Sequence, residues 1–230
     1  MYDSIFSDLK KLENKEKAKV MSGFFKTGKG QYGEGDHFLG ITVPDQRKIA
    51  KKYTTTSLVD VKKLLANKIH ECRLVALLIL VEKFKDESQR KKIVDFYLDN
   101  IKYVNNWDLV DLSADKILGQ FILDKDKSIL KKFAASKNLW ERRIAIVSTF
   151  AFIKQNRFDE TLKISKLLIS DKQDLIHKAV GWMLREVGKR NKKTEIDFLK
   201  QYYTNMPRTM LRYSIERFSD SEKKFFMKIN

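Results

Sequence analysis

The sequence is poor in the residues that interrupt helices. It has 2 prolines and 9 glycines in 230 residues, and several of the glycines are grouped in one segment between positions 28 and 40. Proline and glycine are the residues least compatible with a helix interior, so the rest of the chain carries few breakers. The composition therefore favours an all-α protein.

Cysteine and histidine are also scarce. The single cysteine, Cys72, cannot form a disulfide within the chain, which fits a reducing compartment, and we expect it to be a small core residue. The three histidines, His37, His70 and His177, are far apart and show no metal-binding spacing. We therefore expect no metal and no cofactor, and a packing or capping role for His70 and His177.

Long apolar runs are missing as well. The longest run, from Leu74 to Val81, suits a buried helix but is too short to cross a membrane. The segment from Met1 to Lys19 is charged and amphipathic, unlike a signal peptide. We expect a cytoplasmic protein that does not contact membranes.

What the chain has in excess is positive charge. Lysine and arginine number 47 against 30 acidic residues, which gives a formal net charge of +17. Such an excess suits a polyanionic partner, namely DNA, RNA or an anionic membrane surface. The alternative is a cytosolic protein that is merely basic, with its lysine pairs lying on solvated helix faces.

Hydrophobic periodicity predicts a train of helices with short polar joints. Apolar residues before position 26 indicate one or two amphipathic helices, and Pro44 is expected to open a helix that continues to Tyr53. A short helix around Leu58–Leu65 follows. The further helices are predicted near 69–84, 88–101, 106–119, 125–135, 138–154, 158–168, 172–190, 192–203, 207–217 and 220–228. No linker is evident, so we expect a single domain over residues 1–230.

Four of these helices begin with a similar pattern. His70, Trp107, Trp140 and His177 each stand near the start of an apolar helix, and the steps between them are 37, 33 and 37 residues. A helix-pair period of this length is typical of a HEAT-like α-solenoid with a concave inner face. A helical bundle without repeats is the alternative.

The segment Gly28-Lys29-Gly30-Gln31-Tyr32-Gly33 matches the pattern Gly-x-Gly-x-x-Gly. It lacks the preceding strand and the following helix of a dinucleotide-binding motif, so we expect no nucleotide cofactor. Two interpretations stay open. The loop could contact phosphates through Lys26, Lys29 and its backbone N–H groups, or it could be purely structural.

The segment Asn105–Asp111 combines an indole with a carboxylate. Asp111 follows Trp107 by four residues, which places both side chains on one helix face. Taken alone, a tryptophan in a helical repeat is usually a core residue, and Asp111 could be a helix N-cap or a core salt-bridge partner.

Two further tryptophans have an arginine three residues later. Arg143 follows Trp140, and Arg185 follows Trp182. If the repeats stack, equivalent helices lie side by side. Trp107, Asp111, Arg143 and Trp182 would then form one cluster on the concave surface.

Three helical segments and the glycine-rich region resemble a known family. These segments are residues 107–111, 140–145 and 178–186, together with 38–44 and Arg47. They resemble the AlkD family of HEAT-like DNA glycosylases, the DNA alkylation repair family. The resemblance spans nearly the whole chain in the right order. It implies excision of cationic N3- or N7-alkylated purines, such as 3-methyladenine and 7-methylguanine, from duplex DNA. It further implies that the lesion stays largely stacked in the duplex.

The resemblance also implies roles for individual residues. Asp111 matches the catalytic carboxylate, Trp107 and Trp182 match the flanking indoles, and Arg143 matches the arginine that grips the DNA backbone. We expect the protein to act as a monomer, with further DNA contacts from Arg142, Arg185, Lys26, Lys29 and Arg47. Two rivals remain: a DNA-binding relative without excision activity, and a HEAT-type protein-interaction scaffold.

Overall fold

The structure, a computed structural model, describes residues 1–228 and is built from helices. Its α-helices are α1 (Tyr2–Lys11), α2 (Lys15–Phe24), α3 (Val43–Lys52), α4 (Leu58–Leu65), α5 (His70–Lys83), α6 (Arg90–Asp99), α7 (Trp107–Asp111), α8 (Ser128–Ala134), α9 (Leu139–Ser148), α10 (Phe150–Ile153), α11 (Asp159–Leu168), α12 (Asp174–Arg190), α13 (Lys192–Tyr202), α14 (Arg208–Ser214) and α15 (Asp220–Met227). Short 3₁₀ segments lie at Glu87–Gln89, Ile101–Tyr103, Tyr203–Asn205 and Ile215–Arg217.

The prediction of an all-helical chain is confirmed. No strand occurs in residues 1–228, where the nearest approach to one is an isolated bridge between His37 and Ile69. Three of the four repeat markers occupy the first or second position of α5, α7 and α9, while His177 is the fourth residue of α12. The solenoid arrangement itself stays a prediction.

The chain forms two compact units, Met1–Ser113 and a second that begins at Ala114. In the first, α5 is buried from His70 to Leu80, and α3 and α4 pack against it. In the second, α12 is central and contacts α9, α11, α13 and α14. The expectation of one domain over residues 1–230 stays a prediction.

The helix predicted over 106–119 is interrupted. Helix α7 ends at Asp111, and a π-helix at Asp115–Gly119 follows after a short turn. Ser113 Oγ donates to the carbonyl of Leu109 at 2.6 Å, a back-bond that disturbs helix continuation. A single π-helical turn within a helical region is frequently associated with a functional site.

The helix predicted over 138–154 is also divided. Helix α9 ends at Ser148 and α10 begins at Phe150. Thr149 lies between them, and its hydroxyl donates to the carbonyl of Ile146 at 2.6 Å while its N–H bonds the same carbonyl. The tightened turn ends the regular hydrogen-bond ladder at this point.

A buried glutamate anchors the end of the glycine-rich segment. The carboxylate of Glu71 accepts the backbone N–H groups of Leu39, Gly40 and Ile41 at 2.8–3.2 Å. Gly40 has φ +82°, and a side chain there would overlap the carbonyl of Asn14. The segment is therefore held against both α5 and the start of α2.

Three further findings bear on the sequence predictions. Cys72 is buried, as predicted, and burial raises the pKa of its thiol to about 12, so it is an inert core residue. None of the helices in residues 1–228 is long and apolar enough to cross a membrane. The same residues contain no group of three His, Cys, Asp or Glu side chains placed to hold a metal ion.

Candidate functional site

Helix α7 places Trp107 and Asp111 one turn apart. Asn106 is its N-cap, and the Asn106 side chain accepts the N–H of Trp107 at 2.8 Å. Trp107 is the first residue of the helix and Asp111 the last, so the alternative that Asp111 caps a helix N-terminus is wrong. Both side chains are half-buried, which leaves part of each accessible.

Two phenylalanines from α2 and its C-cap pack around Trp107. The Phe25 ring stacks on the indole with centroids 5.1 Å apart and planes at 9°. Phe24 meets it edge to face at 5.8 Å and is itself 63% exposed. Trp107 is therefore one member of an aromatic surface that is supported from below and partly open, rather than a core residue.

Beneath this surface lies a buried group of charges. His70 Nε2 is 2.8 Å from Asp108 Oδ2, and His70 Nδ1 is 3.2 Å from Asp36 Oδ2. The Arg73 guanidinium pairs with Asp36 at 2.6 Å, and Asn106 also reaches Asp36 at 3.4 Å. This network joins the glycine-rich segment, α5 and the first turn of α7.

The charges in the network support one another. Burial alone would lower the pKa of His70, but the charge and hydrogen bond of Asp108, and the hydrogen bond of Asp36, raise it above its ordinary value. Burial opposes ionisation of Asp36, yet the hydrogen bond to His70 and the charge of Arg73 keep the pKa of Asp36 below its ordinary value. The two carboxylates therefore favour the protonated form of His70, in which each ring nitrogen has an N–H to donate.

In the second unit, Trp182 lies on α12 with its indole oriented by two neighbours. Its Nε1 donates to Glu186 at 3.2 Å, and its ring lies 5.8 Å from that of Phe150. The ammonium group of Lys154 lies 4.4 Å from the Phe150 centroid and pairs with the buried Asp115 at 2.6 Å. The half-buried Trp182 thus contacts a phenylalanine ring that also binds a cation.

The three predicted arginines of this unit bind protein groups. Arg143 is 5% exposed and donates to the carbonyl of Leu175. Arg142 binds both carboxylate oxygens of Asp171, and Arg185 pairs with Glu216. Their role as DNA contacts stays a prediction, as does the convergence of Trp107, Asp111, Arg143 and Trp182 on one surface.

The glycine-rich loop makes its own hydrogen bonds. The N–H of Gly28 donates to Gln31 at 3.0 Å, and that of Gly30 to Glu34 at 2.7 Å. Both N–H groups are thus used within the loop, which favours the interpretation that the loop is structural over phosphate binding by these two groups. Lys26 and Lys29 are exposed and Arg47 is half-buried, so a phosphate contact by any of them stays a prediction.

Sequence reasoning missed the support of Trp107. Phe24 and Phe25 were visible as an apolar pair at the end of a helix, but nothing in the sequence showed that they meet Trp107. The network behind them joins Asp36, His70 and Asp108 across 34 and 38 positions of sequence. The buried acid next to His70, Glu71, carried no signal beyond its place in an apolar run.

The fold and the α7 motif define a class: an all-helical, strongly basic protein with indole and carboxylate groups on a short helix. A family model described as DNA alkylation repair enzyme matches residues 5–218, and the chain belongs to this family. The resemblance seen in the sequence is thereby confirmed, and membership supports a role in the repair of alkylated DNA.

A solved structure, titled a predicted DNA alkylation repair enzyme from Enterococcus faecalis, has a similar fold. It aligns with a TM-score of 0.69 and 20% identity, over 90% of this chain and 97% of that one. At this identity the likeness concerns the fold alone. The comparison with curated proteins gives no match.

Proposed function

We propose that the protein is a monofunctional DNA glycosylase that excises cationic N3- or N7-alkylated purines from duplex DNA. The observation that carries the proposal is the pairing of Trp107 with Asp111 on α7, in a family of alkylation repair proteins. On a chain of net charge +17, a carboxylate does not help to attract phosphate, because both groups are negatively charged. It suits a positive centre that forms during a reaction.

The chemistry of the substrate fits these groups. An N-alkylated purine is positively charged, so its glycosidic bond is already weakened and the base leaves as a neutral molecule. As the bond breaks, positive charge develops on the deoxyribose, and an anion beside it lowers the barrier. In this proposal Asp111 supplies that anion and orients the attacking water.

The indoles stabilise the same positive charge on the deoxyribose. An aromatic face stabilises a nearby cation by about 0.5–2 kcal/mol. Trp107 is pre-oriented by the stacked ring of Phe25, and Trp182 by its hydrogen bond to Glu186. Side chains fixed before the substrate arrives lose little freedom on binding, which favours catalysis by positioning.

The positive surface charge would hold the duplex. If six phosphates were neutralised on binding, affinity would fall as roughly the fifth power of the salt concentration. We propose that Arg143, Arg142, Arg185, Lys26, Lys29 and Arg47 contribute, with the arginines exchanging protein partners for phosphate. A monomer acting in the cytoplasm, on a lesion that stays stacked, completes the proposal.

The test is the release of free bases from methylated duplex DNA. Wild-type protein is expected to release 7-methylguanine or 3-methyladenine from methylated duplex and nothing from the same duplex left untreated. Binding without release would favour the non-catalytic DNA-binding relative. Duplex binding with a flat salt dependence would contradict the DNA-binding proposal and favour the protein-interaction scaffold.

A further inference from the structure

We infer that His70, as an imidazolium ion, is the positioning residue that fixes Trp107. The inference rests on the proposed function for the role of Trp107 in excision, but its structural part stands on the contacts of the first unit alone. His70 acts through two routes that meet at Trp107. One is ionic and runs through α7, and the other is a stack of rings.

The ionic route holds the start of α7. Asp108 is the residue after Trp107, and its carboxylate is the partner of His70 Nε2 at 2.8 Å. The opposite ring nitrogen is bound to Asp36, which belongs to the glycine-rich segment. A neutral imidazole has one N–H, so one of the two carboxylates would then face a lone pair. With both carboxylates ionised, both bonds exist together only when His70 is charged.

The stacking route holds the indole itself. The imidazole of His70 packs against two phenylalanine rings that also stack on each other. Its centroid is 4.6 Å from that of Phe38 and 5.1 Å from that of Phe25, and the two phenylalanine centroids are 4.9 Å apart. Phe25 in turn stacks on Trp107. A cation beside an aromatic ring is attracted to it, so the charge of His70 tightens the ring contacts that support Trp107.

Charge balance explains why the proton stays on His70. Asp36 and Asp108 carry two negative charges, and Arg73 and protonated His70 carry two positive charges, so the buried group is neutral. Arg73 Nη2 lies 3.4 Å from His70 Nδ1 and works against protonation, but the two carboxylates outweigh it. Glu71 is turned away, toward the N–H groups of the segment at 39–41. Loss of the His70 proton would leave a buried net negative charge.

The test follows Trp107 and His70 in the same titration. The full-length protein is labelled with 5-fluorotryptophan, and its three fluorine resonances are assigned by Trp→Phe variants. We expect the Trp107 resonance to change with pH at the same midpoint as the imidazole resonance of His70, above the ordinary histidine value of about 6.5. The resonances of the other two tryptophans should not follow that midpoint.

The variant Asp36→Asn makes the test decisive. It removes one of the negative charges that hold the proton on His70 while keeping the side-chain volume. The midpoints of His70 and of Trp107 should therefore fall together. The inference would be overturned if the Trp107 resonance did not change as His70 titrates. It would also be overturned if Asp36→Asn shifted the midpoint of His70 but left the midpoint of Trp107 unchanged.

Activity gives a second readout. His70→Gln keeps one hydrogen bond but no charge, and we expect single-turnover excision to fall about 10- to 100-fold while duplex binding stays within about twofold. His177→Gln is the matched control, because His177 occupies the corresponding position in the predicted repeat and its ring nitrogen bonds the carbonyl of Asp171 in the second unit. Excision at the wild-type rate in His70→Gln would contradict the positioning role. If wild-type protein excises nothing, the proposed function fails, and the fluorine titration still decides whether His70 positions Trp107.

Discussion

Glu195 is a buried acid whose protonation should make the stability of the protein depend on pH. It lies in the first turn of α13, is 2% exposed, and its Oε1 has no hydrogen-bond partner within residues 1–228. Its carboxyl group packs directly against Gly188, where a side chain would overlap it. Burial raises the pKa of Glu195 to about 8, although the charges of Lys192 and Arg185 work in the opposite direction.

The magnitude follows from the difference between the folded and unfolded pKa values. The unfolded carboxyl has an ordinary pKa of 4.5, so between pH 4.5 and 8 the folded protein keeps a proton that the unfolded chain releases. The stability that this group contributes is complete below pH 4.5 and is lost as the pH rises through 8. Each pH unit between these two pKa values corresponds to about 1.4 kcal/mol. The titration of Glu195 therefore makes the free energy of unfolding about 3 kcal/mol lower at pH 7 than below pH 4.5.

The variant Glu195→Gln removes the titration and keeps the shape. Urea unfolding of both proteins at about pH 5.5 and pH 7.5 should show a stability difference that grows by about 2–3 kcal/mol in favour of the variant at the higher pH. Other titrating groups, His70 included, cancel in this comparison. Glu16→Gln, at an exposed position of α2, should show no such growth. A difference between Glu195→Gln and wild type that is the same at both pH values would refute the reasoning.

Other predictions concern packing and the anchored segment. A Cβ at Gly181 would lie 2.5 Å from both the carbonyl of Met210 and the Cβ of Tyr213, so Gly181→Ala should lower the free energy of unfolding by about 1–3 kcal/mol. Gly23→Ala, in an open stretch of α2, should instead raise it by about 0.5–1 kcal/mol; equal effects at the two glycines in thermal or urea unfolding would contradict the packing argument. Glu71→Gln keeps one oxygen for the three backbone N–H groups, but it puts an amide N–H₂ where Oε2 now accepts the N–H of Leu39 and removes the negative charge. It should cost about 1–3 kcal/mol, measured in the same way. A neutral effect there would show that the segment does not depend on the carboxylate.

Local patterns accounted for the helices, because apolar spacing and caps act over one or two turns. Asn106, Asn138 and Asn191 each cap a helix through the side chain, and each stands at or near a predicted boundary. The breaks after Asp111 and at Thr149 were missed. They depend on hydroxyl groups that bond the preceding helical turn, and a serine or threonine at such a position is compatible with a continuous helix as well.

Local sequence patterns likewise predicted one part of the candidate site and missed another. Spacing within one helix was enough to place Trp107 and Asp111 together on α7. The support of the indole by Phe25 and His70 joins segments far apart in sequence, and no local rule relates them. A histidine in an apolar helix is compatible with simple packing, so its two carboxylate partners could be found only from the fold.

The central claim is that Asp111 serves the chemical step, and a single-turnover excision measurement tests it most directly. Methylated duplex is incubated with excess wild-type protein, Asp111→Asn, or the control Asp159→Asn at an exposed position in the first turn of α11. We expect Asp111→Asn to lose at least about 10²-fold in the excision rate, with duplex affinity retained and the control unchanged. Excision by Asp111→Asn at the wild-type rate would contradict the account.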